Sequence, residues 1–222
     1  MSARLALAAE RYRPWRALYH YSKSKMRIDP AYAETVRVLG HSPRPLLDIG
    51  CGAGQLAAYL RAHGHIAPIL GVDIDERKIG IANQVLASEN ARFLVSDATS
   101  FPEHHGDVVM LDVLHYLEDA RQIRLLHRVA DSLAPEGVAL IRLTLRNDSW
   151  RFQVTQWEER LIHLIGWIAA KGWNYPTREK IEGPLLEKNC RVTLRPLWGR
   201  TPFNSYLCTV TRPGGLEVLK GE

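Results

Sequence analysis

The sequence predicts an α/β chain, a three-layer sandwich in which a mostly parallel sheet carries helices on both faces. Three observations carry this. Residues 46–60, LLDIGCGAGQLAAYL, read as a buried strand, a glycine turn and a helix. A second apolar run ending in an acid, ILGVDID from Ile69 to Asp75, follows one strand-helix step later, with Asp73 25 residues beyond Asp48. Near the end, NCRVTLRPLW and NSYLCTVTR, joined by GRTPF, read as an antiparallel hairpin over 190–212.

The elements follow in chain order. Residues 1–40 are expected to be a helical cap. Basic residues crowd it at Arg4, Arg11, Arg13, Arg16, Lys23, Lys25 and Arg27, with Tyr12, Trp15, Tyr19 and Tyr21 among them. An amphipathic helix whose aromatics pack inward while its cations stay in water accounts for this; a nucleic-acid face and a roof over a ligand are the other readings. Pro30 to Leu39 reads as a short helix. From 43 to 145 strands and helices alternate, which implies parallel pairing. Gly50, Gly52 and Gly54 allow positive φ and close ligand approach. A dinucleotide-binding turn would place its third glycine at position 55, which holds Gln55. Asp48 would repel a pyrophosphate and attract a ligand bearing sulfonium and ammonium groups. Asp75 is placed to cap the helix ERKIGIANQVLA. ARFLVSDA from Ala91, GDVVMLDVLHYL from Gly106 and VALIRLTL from Val138 are the third, fourth and fifth strands; Ala134-Pro135-Glu136-Gly137 turns the chain into the fifth.

The glycine turn resembles motif I of the class I S-adenosylmethionine (SAM) methyltransferases, and the element order resembles their seven-stranded Rossmann-like fold over nearly the whole chain. The resemblance implies SAM as cofactor, with S-adenosylhomocysteine as product. It sets the cofactor against Asp48, Gly50, Cys51, Gly52, Gly54 and Gln55, and gives the ribose hydroxyls to Asp73, with Ile74 beside it. The adenine amino group falls to Ser96, Asp97 and Ala98. Leu111, Asp112 and Val113 lie where the chain crosses above the methionine moiety. Tyr21 and Lys25, four apart on one helix face, could meet the methionine carboxylate.

Acceptor chemistry is less legible, because methyl transfer demands mainly alignment and, where needed, removal of a proton. His115 follows the fourth strand, where acceptors dock in such folds, and is the leading general-base candidate, with Tyr116 and His20 as alternatives; His20 is also a candidate for contact with the acceptor. Packing beside the cofactor is the competing role for His115. Residues 151–188, where the family inserts variable elements between strands five and six, are expected to form a helical lid. There Trp157, Leu161, Leu164, Ile165 and Ile168 make one apolar stripe, widened by Ile162 and Trp167. The stripe is assigned to packing on the domain, with Trp157, Leu161, Leu164 and Ile168 also facing an acceptor. RYRPWRALYHYSKSKMRIDP and GRTPFNSYL are similar to segments of methyltransferases that accompany bacterial aryl-polyene and xanthomonadin-type pigment synthesis. That resemblance implies an aryl or acyl acceptor, free or carrier-protein bound. The Asn/Asp-Pro-Pro-aromatic run of the family's amino-methylating enzymes is replaced by Asp112-Val113-Leu114-His115, which disfavours N-methylation of a nucleobase or glutamine amide and favours a small molecule. An RNA methyltransferase using the basic N-terminal face and a non-catalytic SAM-binding subunit are the alternatives.

At 222 residues and 46% hydrophobic content the chain suits one domain with a full core. Its net charge of +5 comes largely with the N-terminal cations. Cys51, Cys190 and Cys208 show no paired short spacing, so neither a disulfide framework nor a zinc knuckle is expected, and a reducing cytoplasm is the natural compartment. His104-His105 and His63-x-His65 fall in turns without a carboxylate partner set, so no metal is expected. The amino terminus is too short and too charged for a signal peptide. No run reaches the ~18 apolar residues of a membrane-spanning helix, and peripheral membrane contact stays open.

Overall fold

A computed structural model describes residues 3–87, 89–154, 174–199 and 202–212. Its seven strands are β1 (Leu46–Ile49), β2 (Ile69–Asp73), β3 (Ala91–Val95), β4 (Asp107–Leu111), β5 (Val138–Thr144), β6 (Arg191–Pro196) and β7 (Ser205–Thr211). They form one sheet in the order β3-β2-β1-β4-β5-β7-β6. Pairing is parallel from β3 to β5 and antiparallel at β5·β7 and β7·β6. The hairpin is therefore present, and β7 rather than β6 continues the sheet, Val138 facing Thr211 and Thr144 facing Ser205.

Alternation along the strands makes two cores. Leu46, Val109, Leu140 and Leu207 face one, against α1 (Ala3–Glu10), α2 (Arg16–Ile28), α3 (Pro30–Leu39), α4 (Gln55–Ala62) and α5 (Glu76–Val85). Leu47, Ile49, Val108, Met110 and Ile141 face the other, where Leu125, Leu126 and Val129 of α6 (Asp119–Asp131) and Ile181 and Leu185 of α7 (Arg178–Glu187) pack. The three expected layers are thus helices, sheet and helices. Asp75 caps α5, accepting from the amides of Arg77 and Lys78 at 3.0 and 3.2 Å. The β3 to β4 connection, residues 96–106, carries no helix; Phe101 fills the second core in its place, with the Arg128 guanidinium 4.3 Å from its ring centre.

The N-terminal region corrects one expectation. The single amphipathic helix is two helices broken around Pro14, since proline lacks the amide that would continue the ladder. Tyr12 lies in the break, fully buried, and its hydroxyl donates to the Ala53 carbonyl at 3.0 Å. Nor do all the cations stay in water: Arg11 donates to the Val85 carbonyl and pairs with Glu89 at 3.1 Å. Tyr21, expected to pack inward, is 48% exposed.

Residues 150–154 are helical. The stripe of Trp157, Leu161, Leu164 and Ile168, with Ile162, Ile165 and Trp167, lies outside the described residues. Of the expected lid region, α7 is an ordinary layer helix against α6. No helix among the described residues is long and apolar enough to cross a membrane.

Candidate functional site

The strand order reverses direction between β1 and β4, and ligands of open parallel sheets settle beyond the carboxyl ends of strands at such a point. The glycine turn stands there. Gly50 has φ +76°, and a Cβ on it would come within 2.3 Å of the Val113 side chain, so the β1 and β4 loops close on each other only with glycine at 50. Gly54, also at φ +76°, is the N-cap of α4. Cys51, in the turn, and Gln55, the first residue of α4, are buried.

Asp73 ends β2 and fixes this turn. Its Oδ2 accepts from the Gly52 amide and its Oδ1 from the Asp75 amide, both at 2.9 Å. A carboxylate offers about four acceptor positions, so two amide bonds leave capacity for a pair of hydroxyls. Ile74, beside it, is 75% exposed, an apolar surface at the lip of the site. Asp48 is buried between Gly71 on β2 and Val109 on β4, and its Oδ2 has no hydrogen-bond partner. Burial first, and the charge of Asp73 second, push its carboxyl up to about 7. A buried acid with an unpartnered oxygen suits a cation placed above it.

The third strand-end acid is engaged differently. Asp97 Oδ2 pairs with Arg121, and Oδ1 accepts from the amide and hydroxyl of Thr99 at 2.8 and 2.7 Å. The Arg121 bond chiefly, with those of Thr99, holds its carboxyl down at about 2. The Ser96 amide donates to the Asp73 carbonyl at 3.0 Å, and Ala98 packs at the margin of the second core.

On α2, Tyr21 and Lys25 lie on one face, with Lys25 Nζ 5.8 Å from the Tyr21 ring centre. Burial opposes the Lys25 charge, but Tyr21, Asp112 and Asp29 outweigh it and hold the ammonium above the usual lysine range. Asp112 has φ +60° and pairs with Arg142 at 3.2 Å. Arg142 also pairs with Asp29, the residue that joins α2 to α3 and accepts from the Ala31 amide at 3.0 Å. Sequence reasoning missed Asp29 and Arg142. An arginine inside the apolar run VALIRLTL was the available signal, because a buried guanidinium requires carboxylates nearby.

Beyond β4 the chain makes one 3₁₀ turn, Leu114–Tyr116. His115 is buried, and burial pushes its imidazole below the usual range, so the ring is neutral at pH 7. Its ring centre is 4.1 Å from that of Tyr116 and 5.8 Å from that of Tyr175, the latter nearly parallel. Tyr175 also meets Phe152 edge-on at 5.2 Å. Sequence reasoning did not single out Tyr175 or Phe152. His20 is exposed, with its ring edge-on to Tyr19 at 5.2 Å. His63, His65 and His104 each direct a ring nitrogen at a backbone carbonyl, and among the described residues no cluster of His, Cys, Asp or Glu is arranged to hold a metal. A cleft of about 360 Å³ lined by Pro45, Pro68, Ile69, Ala91 and His104 lies at the amino ends of the strands, away from this site.

A family model described as a methyltransferase domain matches residues 22–193. The chain is 29% identical over 164 residues to an uncharacterized methyltransferase of Mycobacterium tuberculosis, covering 71% of this chain and 70% of that one. It is 31% identical over 119 residues to the trans-aconitate 2-methyltransferase of Methylobacterium radiotolerans, covering 53% and 44%. Among solved structures, magnesium protoporphyrin IX methyltransferase from Synechocystis, with bound S-adenosylhomocysteine, superposes with TM-score 0.63 at 20% identity, covering 86% of this chain and 83% of that one.

Proposed function

The chain belongs to the methyltransferase-domain family and is a SAM-dependent methyltransferase, and we propose that it methylates a small, hydrophobic aryl or acyl acceptor beside His115. SAM supplies a methyl group on a sulfonium that is already an activated leaving group, so the protein's part is binding, alignment and proton removal. In this reading Asp73 takes the ribose hydroxyls, Ile74 packs on the adenine, and Ser96, Asp97 and Ala98 border it. The glycine turn, Asp48 and Leu111-Asp112-Val113 enclose the methionine end, with Tyr21 and Lys25 at its carboxylate. Asp48 is the fit to a cationic cofactor, a buried carboxylate oxygen without a partner at the floor of the turn.

One observation carries the acceptor class: beyond β4 the chain builds an aromatic wall of His115, Tyr116, Tyr175 and Phe152. Burial of apolar area against such a wall contributes ~25 cal/mol per Å² and selects a hydrophobic acceptor over a polar one. The resemblance of the two outlying segments to pigment-pathway enzymes points the same way. The basic N-terminal run is a weaker candidate for RNA, since Arg11 and Arg13 are paired with Glu89 and Glu10. The test offers labelled SAM with aryl acids, with acyl and aryl thioesters on a carrier protein, and with total tRNA. Methyl incorporation into the first two is expected. Incorporation into tRNA alone, abolished at high salt as phosphate contacts would be, overturns the proposal.

Cofactor affinity should also depend on pH through Asp48. Its carboxyl titrates at about 7 in the free protein, and a cation above it favours the ionised form. Below that value a proton must leave before the cofactor binds, so affinity rises with pH and levels off above 7. Calorimetric titration of SAM at pH 6 and pH 7.5 should show about eightfold tighter binding at the higher pH, with the difference absent in Asp48→Asn. The raised value has a stability counterpart. Between about pH 4 and 7 the folded chain holds a proton that the unfolded chain has released, so this contribution to stability is lost as pH rises.

A further inference from the structure

We infer that His115 Nδ1 and the Tyr175 hydroxyl form a two-point polar floor within the aromatic wall, built to hold a phenolic or enolic hydroxyl of the acceptor. The inference rests on the small-acceptor reading above and deepens it by naming the group presented. Both atoms are buried, on residues only 5% and 4% exposed, and both lack a hydrogen-bond partner. An unsatisfied buried polar atom is expensive, and folded proteins keep few of them. Here two lie on neighbouring rings, centres 5.8 Å apart and 27° from parallel.

The pair is held firmly in place. The Asn174 amide donates to the His115 carbonyl at 2.8 Å, and the Asn174 side chain donates to the Leu117 carbonyl and to Asp119 at 3.2 and 2.7 Å. Gln122 Nε2, buried, reaches the carbonyls of Leu114, Leu117 and Asn174. The Arg146 amide donates to the Pro176 carbonyl at 2.9 Å. These bonds satisfy the backbone of the seam and bypass the imidazole nitrogen and the phenol oxygen. Tyr116, 43% exposed, adjoins His115, with ring centres 4.1 Å apart, and is the solvent-facing member of the wall.

The two atoms offer complementary chemistry. A neutral imidazole nitrogen without its proton accepts, and a tyrosine hydroxyl donates. A hydroxyl that donates to one and accepts from the other satisfies both at once; a carboxylate or an ether satisfies only the donor. A site built to hydrogen-bond a hydroxyl rejects the analogue lacking it far more strongly than an apolar pocket distinguishes similar shapes.

The test titrates the protein, saturated with S-adenosylhomocysteine, with phenol, anisole and toluene, which share one ring and differ at one substituent. Phenol should bind about tenfold more tightly than the other two. In Tyr175→Phe the preference should fall severalfold while S-adenosylhomocysteine affinity is unchanged. Removing an unpartnered hydroxyl should leave the melting temperature of the ligand-free protein equal or higher. Equal binding of all three rings overturns the polar floor and leaves the apolar acceptor reading standing. Binding of none overturns both. A marked loss of stability in Tyr175→Phe shows that the hydroxyl serves the fold, and also overturns the inference.

Discussion

Replacing Asp73 with alanine should weaken SAM binding by about ten- to more than a hundredfold, the loss of ~1.5 to 3 kcal/mol expected if two ribose hydroxyls lose a charged acceptor. The geometry also shows a second consequence. Asp73 holds the Gly52 and Asp75 amides at 2.9 Å each, so alanine frees the glycine turn while it removes the proposed ribose acceptor. Asp73→Asn separates the two effects. Its amide oxygen still accepts from one of these amides, and the charge is gone, so its affinity should fall between wild type and alanine. Calorimetric titration with SAM and S-adenosylhomocysteine measures both variants, with thermal melts to show that the fold persists. Unchanged affinity in Asp73→Ala would remove the residue from the cofactor site.

The reach of the sequence is clearest where information is local. LLDIGCGAGQLAAYL contains its own strand, its positive-φ glycines and its helix, and the structure places them as β1, turn and α4. Asp75 capping α5 is equally local, two and three residues from the amides it accepts. The hairpin was legible from its alternation and turn, though not the fact that β7 is the strand that joins the sheet. What escaped was pairing at a distance. Arg142 meets Asp29 from 113 residues away, and Asp97 meets Arg121 across 24. Periodicity says which face a residue occupies and nothing about which distant charge neutralises it. Tyr175 escaped for a related reason: a lone tyrosine before Pro176 has no pattern, and it gains meaning only when Asn174 is bonded to the His115 carbonyl. The break at Pro14 was readable in principle; the density of cations and aromatics around it suggested one continuous face instead.

Replacing His115 with alanine should lower turnover on the true acceptor by about 100-fold or more while leaving cofactor affinity nearly unchanged. The buried ring has its pKa pushed down, so at pH 7 it is neutral and can take a proton. A lowered value makes it a weak base toward a free phenol, whose pKa is about 10. That is no obstacle in methyl transfer. As the oxygen to carbon bond forms, positive charge builds on the oxygen and its proton becomes strongly acidic, so even a weak, well-placed base receives it. Alanine also leaves a hole against Tyr116 and Tyr175, whose ring centres are 4.1 and 5.8 Å away. Some loss of stability is therefore expected in every case, and a melt alone decides nothing. The deciding comparison is His115→Ala against His115→Phe, which refills the space without a nitrogen. If proton acceptance is the role, both variants lose turnover alike and neither loses SAM affinity. If His115→Phe restores turnover, the residue is a packing element of the aromatic wall, and the proton leaves by another route.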